Sequence, residues 1–174
     1  MNQSTSIPRS ELSFPPRAGL LALAPWLPRL IRTDDDRAAM LARTVLAAVL
    51  FPHGAQHLTG WFGGYGFSGT LGWMTGSVGI PAPLAAFSIV FEFFAPLVLL
   101  VGFGGRVFAA GLAVFLAVAA STHAANGFFM NWLGNQAGEG FEYHLLAIAL
   151  AASVAIRGSG TLSVDRWLYR RFLR

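Results

Sequence analysis

The chain has 174 residues, 55% hydrophobic and only 11% charged, with a formal net charge of +4 and no cysteine. A soluble domain carries roughly a quarter charged residues, so this composition excludes an ordinary water-soluble fold. The lack of cysteine excludes disulfides, thiolate metal ligands and a dithiol redox centre supplied by this chain. All twelve basic residues are arginine, and they flank the apolar blocks. That placement sets membrane topology and argues against nucleic acid as a partner.

Residues 1–37 form an arm interrupted by Pro8, Pro15, Pro16, Pro25 and Pro28. Its apolar run from Ala18 to Leu27 has the length of a signal-peptide core. The two prolines break it and no clean small-residue cleavage site follows, so a cytoplasmic or interfacial arm is expected. Asp34, Asp35 and Asp36 are placed to cap the helix that follows, at its positive end.

Four apolar spans are predicted, over 38–58, 82–103, 107–125 and 141–156. A crossing helix needs about 20 apolar residues, with a lower bound near 17. The fourth span is therefore short and is expected to begin in the preceding loop. Pro81 and Pro83 suit the first turn of the second helix, where a missing N–H costs nothing. Between spans one and two, glycines alternate with Trp61, Phe62, Tyr65, Phe67 and Trp73. This pattern suits a short re-entrant or interfacial segment, or alternatively a plain aromatic belt. Residues 158–174 form a basic tail, with Ser163 opening a C-terminal amphipathic helix. The fold expected is all-α: an integral membrane four-helix bundle over 38–157, between the arm and the tail.

Arginines precede span one, join spans two and three at Arg106, and follow span four, whereas loops 59–81 and 126–140 contain none. The positive-inside rule then places both termini in the cytoplasm of a cell that holds the protein in its inner membrane.

Between Arg43 and Arg157 the only charged residues are Glu92, Arg106, Glu139 and Glu142, and all four histidines fall in the same stretch. Hydrocarbon tolerates ionisable groups poorly, so those that persist face a packed interior or a polar cavity. His53 and His57 share a stripe of span one with Arg43, and His144 shares the Ala147/Ala151/Ala155 face of span four. In span three, Ala109, Ala113, Ala117 and Ser121 offer a continuous small face for close packing. Glu92 comes out near mid-membrane, and Pro96 removes the amide that would bond its carbonyl. His53, His57, His123 and His144 fall in the outer half, with Glu142 at the rim; Glu139 and Glu142 are expected to be interfacial and solvated, with Glu142 closing the top of a cavity as the alternative. Arg43, alone in the inner half, is expected to snorkel to the boundary.

These seven residues, Arg43, His53, His57, Glu92, His123, Glu142 and His144, are the candidates for binding a ligand or handling protons. Glu92 supports two readings, a proton-handling or ligand-accepting carboxyl and an interhelical hydrogen bond. His53, His57 and His123 form a weaker alternative as metal or haem ligands, because no zinc-type signature surrounds them.

The chain resembles the DoxX family of small four-helix bacterial membrane proteins. The resemblance runs from Leu41 to Asp165. It is carried by Arg43, Gly54-Ala55-Gln56-His57-Leu58, Gly63-Gly64-Tyr65-Gly66, Gly79-Ile80-Pro81 and the Glu92 helix ending Leu99-Leu100-Val101-Gly102. His123, Gly140-Phe141-Glu142 and Gly158-Ser159-Gly160-Thr161-Leu162-Ser163-Val164-Asp165 complete it. Many members have lysine where this chain has His57, so a permanent charge is replaced by a titratable one. The resemblance implies a membrane subunit associated with oxidoreductase systems and redox partner proteins, including thiosulfate–quinone oxidoreduction in some relatives. The leading expectation is a subunit whose outer-half cavity binds quinone or a comparable apolar ligand. The alternatives are a non-catalytic scaffold or assembly factor and, with no inverted repeat to support it, a small-solute transporter.

Overall fold

The computed structural model describes residues 25–173. Most of the N-terminal arm, including the larger part of the Ala18–Leu27 run, lies outside the described residues, as does Arg174. The described chain is helical throughout and contains no strand. A five-residue helix, α1 (Leu27–Ile31), precedes the acidic triplet. Asp36 then caps α2 (Arg37–Thr59), its carboxylate accepting from the Ala39 amide at 2.9 Å. Gly60, at φ 78°, ends that helix in the left-handed conformation that suits glycine.

The glycine- and aromatic-rich segment forms a helix, α3 (Gly66–Gly76), packed on the flank of α2 and α4. Met74 inserts from it between Ala85 and Ile89. Next come α4 (Ala82–Val101), α5 (Gly105–His123), α6 (Glu142–Arg157) and a short α7 (Val164–Leu168), which a wider π turn extends to Leu173. The most extensive pairings are α2 with α4 and α5 with α6, and α2 also touches α6. Their shared core is Leu46, Leu50, Ala95, Leu99, Leu112, Leu116, Ala151 and Val154, with small residues between.

Three helices are long and apolar enough to cross a bilayer: Arg37–Thr59, Ala82–Val101, and α5 continued by a 3₁₀ turn to Asn126. α6 has 16 residues and starts at Glu142, so the expected extension into the preceding loop is not helical. That loop is instead pinned to the helix start, with the Phe141 and Glu142 amides donating to the Gly127 and Phe128 carbonyls. The predicted small stripe of α5 also packs only in part. Ala109 is buried, but Ala117 and Ser121 are exposed. The buried edge is instead Gly105, Ala109, Leu112 and Leu116.

Arg43 departs from the snorkelling expectation. It is 2% exposed, and its guanidinium is satisfied by backbone: Nε donates to the Ser159 carbonyl at 2.9 Å, Nη1 to Leu99 and Leu100 at 2.5 Å each, and Nη2 to Leu162 at 3.2 Å. A guanidinium presents five donors in a rigid fork, which suits a ring of carbonyls better than a boundary carboxylate would. Two of those carbonyls are near the C-terminus of α4: that of Leu99 also accepts the Gly102 amide at 2.9 Å, and that of Leu100 belongs to the last turn, where helical carbonyls run out of amide donors. Gly102, at φ 71°, admits the arrangement, since an added Cβ would lie 3.1 Å from Arg43 Cζ.

The same end of the bundle joins the N- and C-terminal segments. The Gly160 amide donates to Thr33 Oγ1 at 2.7 Å and the Thr161 amide to the Asp36 carbonyl at 3.1 Å. Asp35 accepts from Thr161 and Arg166, and Asp36 from Arg157. Both carboxyls are held below their ordinary value, Asp35 chiefly by the Thr161 hydroxyl and then Arg166, Asp36 chiefly by the Ala39 amide. A depressed folded-state value means stabilisation that is present above the unfolded aspartate value of ~3.9 and lost as pH falls through the folded one. Melting temperature in detergent is therefore expected to fall on acidification below that range, and less steeply in Asp35→Asn with Asp36→Asn. Parallel acid curves for the two proteins would contradict it.

Candidate functional site

Gly54 brings α2 against the backbone of α4. A Cβ added there would lie 2.5 Å from the Glu92 carbonyl oxygen and 2.6 Å from Phe93 Cα, so only glycine permits the contact. His57, three residues on and on the same face, thereby reaches Glu92: its Nδ1 lies 2.5 Å from Oε2. Glu92 is 4% exposed, while about a third of the His57 side chain is open to the space beside it. Pro96 has no amide to offer the Glu92 carbonyl, so backbone and side chain place acceptors at one level.

That space is a cavity of about 750 Å³ at the end of the bundle that bears loops 60–81 and 126–140. Its floor is Leu50 and Leu116, and its far wall includes Met74 and Ile80. On one side it runs out between α4 and α5, past Phe87, Val114 and Val118, all of which are exposed on the apolar flank. Gly111 and the ring of Phe91 meet at the edge of this cleft, where an added Cβ would lie 2.7 Å from Phe91 Cζ. Phe91 stacks between Phe87 and Phe108, with ring centroids 5.6 and 6.3 Å away.

Five of the seven candidates meet in this cavity: His53, His57, Glu92, His123 and His144 all line it. Two do not. Glu142 does not close the cavity; its carboxylate accepts from the Met130 amide at 3.2 Å and so ties the loop to α6, while Glu139 is the carboxylate on the lining. Arg43 is in the opposite half, separated from the cavity by the apolar core, with its guanidinium on the Leu99 and Leu100 carbonyls at the end of α4. Among the described residues no three His, Asp or Glu side chains assemble into a metal-ligand set, so the His53/His57/His123 alternative is not formed. Glu92 takes up His57, and His123 bonds the loop, its Nδ1 3.0 Å from the Glu139 carbonyl oxygen.

Sequence reasoning missed Tyr143. Its ring lies 6.1 Å from that of His53 and 5.6 Å from that of His144, and its hydroxyl is buried without a hydrogen-bond partner. His144 Nδ1 is buried and unpartnered as well. Buried polar groups are nearly always satisfied, and both of these orphaned atoms belong to residues that line the one cavity. A phenol beside a buried histidine in an apolar helix was the available signal. Asp165 was missed too: it is 1% exposed and accepts from the Gly104 and Gly105 amides at 2.8 and 2.9 Å and from the Ser159 hydroxyl at 2.5 Å.

Long apolar helices that carry a cluster of ionisable side chains among them define a membrane protein with transmembrane helices. The DoxX family model matches residues 38–132, more than half of the chain, and the protein belongs to that family. No curated protein and no solved structure matches it. The matched stretch contains His53, His57, Glu92 and His123, while Tyr143 and His144 come after it.

Proposed function

We propose that the protein is a membrane subunit of an oxidoreductase system whose cavity binds quinone or a similar apolar ligand with a polar head. The observation that carries this reading is the cavity's asymmetry. A largely apolar chamber opens sideways between α4 and α5, while its ionisable lining is a small set drawn from several elements: the Glu92–His57 pair with His53, His123, Glu139, Tyr143 and His144. Ligand sites have this form, mostly apolar with a few convergent polar groups that fix orientation. Glu92 holds His57 by one nitrogen, which directs the other to the cavity for a ligand carbonyl or hydroxyl. The lateral cleft suits a ligand that arrives from the bilayer.

In the same reading α6 is a fourth crossing helix, the α3 segment lies at the interface, and residues 38–157 form the membrane domain between arm and tail. The arginine-bearing end faces the cytoplasm of a bacterial inner membrane. Redox partner proteins would dock from outside this chain.

The test is quinone binding to purified protein in lipid nanodiscs. Wild type is expected to bind, and Glu92→Gln and His123→Ala to bind about tenfold or more weakly, the loss of one hydrogen bond to a charged or charge-supported group. No binding by folded wild type would sink the proposal. A second reading, a scaffold without catalysis, draws on the His57–Glu92 contact itself, which links α2 to α4. It expects Glu92→Gln to lower the melting temperature and change nothing else.

A further inference from the structure

We infer that the Glu92–His57 pair exchanges protons with one end of the bundle only, the end bearing the 126–140 loop, through His123, His144 and Tyr143. The inference uses the chamber described above but needs no ligand in it.

The groups that face Glu92 can be taken element by element. From α2 come His53 and His57, and α3 contributes no titratable side chain. From α5 there is His123 at its far end, from α6 Tyr143 and His144, and from the loop Glu139. They form a graded series. Glu139 is exposed, and its carbonyl oxygen lies 3.0 Å from His123 Nδ1. The His123 and His144 rings are 4.8 Å apart, those of His144 and Tyr143 5.6 Å, and those of Tyr143 and His53 6.1 Å. His53 stands one helical turn from His57.

Each member can take a proton on one lone pair while giving up another, as imidazole does between its two nitrogens and a phenol at its single oxygen. The two orphaned atoms, Tyr143 Oη and His144 Nδ1, sit in the middle of the series. A chamber of about 750 Å³ beside these residues has room for waters that would bridge the side chains lining it. Every transfer breaks one N–H or O–H bond and forms another. No electrons move, and the net change is one proton carried between bulk water and the carboxylate–imidazole pair.

The other direction is sealed. Below Glu92 the core is Leu46, Leu50, Ala95, Leu99, Leu112 and Val154 with alanines between, and no titratable side chain. Seven residues of helix separate Glu92 from Leu99, about 10 Å. At the far side stands Arg43, its N–H groups committed to carbonyls and its charge permanent. A reaction in the cavity that takes up or releases a proton would therefore draw on one side of the membrane.

The experiment uses the full chain without ligand, in sealed and uniformly oriented proteoliposomes. It follows the infrared carboxyl band of Glu92, assigned by its loss in Glu92→Gln. The band is expected to follow the pH on the loop side and ignore the pH on the arginine side. Tyr143→Phe, which removes only an unpartnered oxygen, and His144→Phe are expected to slow the response roughly tenfold or more, the effect of about 1.4 kcal/mol on a barrier. A band that follows the arginine side, follows neither side, or responds at the wild-type rate in both variants overturns the inference. Failure of quinone binding with one-sided titration intact would count against the proposed ligand alone.

Discussion

Asp165→Ala is expected to destabilise the protein by about 3–5 kcal/mol, a loss of the size seen when one member of a buried charged network is removed. The side chain is 1% exposed and touches no cavity, so the effect is on stability alone. Three donors lose their acceptor at once: the amides of Gly104 and Gly105 and the hydroxyl of Ser159. Leaving a buried polar group unmatched costs about 1–3 kcal/mol, and the two amides are the unpaired start of α5, where a carboxylate also favours the helix dipole. The damage spreads to Arg43, because Ser159 offers its hydroxyl to Asp165 and its carbonyl to Arg43. Thermal unfolding in detergent checks this, with Arg170→Ala on the exposed tail as a control expected within about 0.5 kcal/mol. If both variants melt together, the buried carboxylate is not holding this end of the bundle.

Gly54→Ala is expected to cost about 1–3 kcal/mol, the usual penalty of overpacking, and to separate His57 from Glu92. The obstacle is backbone, the Glu92 carbonyl and the Phe93 Cα, so no side chain can swing aside. An ordinary contact needs about 3.5 Å or more, so the two backbones must part by about 1 Å, enough to break the His57–Glu92 contact that now measures 2.5 Å. Gly72, in α3, is the matching control: nothing lies within 4 Å of a Cβ added there. Alanine at that position is expected to be neutral or to gain up to ~1 kcal/mol from helix propensity. Equal effects at the two positions would mean that the α2–α4 approach does not depend on glycine.

Much of this protein was legible in its residues. The bounds of the apolar helices follow from local composition, Asp36 and Ser163 cap where short polar side chains precede helices, and five of seven candidate residues line one cavity. Helical spacing put Glu92 and His144 on buried faces and His57 beside Glu92, because period and rise are properties of a single helix, whereas His53 on the same stripe is exposed. Glu142 and Glu139 were not separable in this way. They are three residues apart in a loop that folds back on α6, and the fold-back decides which carboxylate meets the Met130 amide and which meets the cavity. Arg43 misled for a related reason: its partners are carbonyls of α4 and of residues 159–162, and a carbonyl leaves no mark in a sequence. The alanine stripe of α5 marked a surface able to pack closely, without saying along how much of its length a neighbour would do so.

The sequence alone determined a helical membrane protein with its arginines outside the apolar spans and its ionisable groups at one level, since the bilayer imposes those features on each helix separately. Only the tertiary structure decided which groups meet. It joined Glu92 to His57 where three histidines had been an alternative ligand set, added Tyr143 to the cavity, and moved Arg43 into a backbone cage. Those outcomes depend on distances between helices, set here by one glycine at the α2–α4 crossing and by the carbonyls that Arg43 gathers where α4 ends.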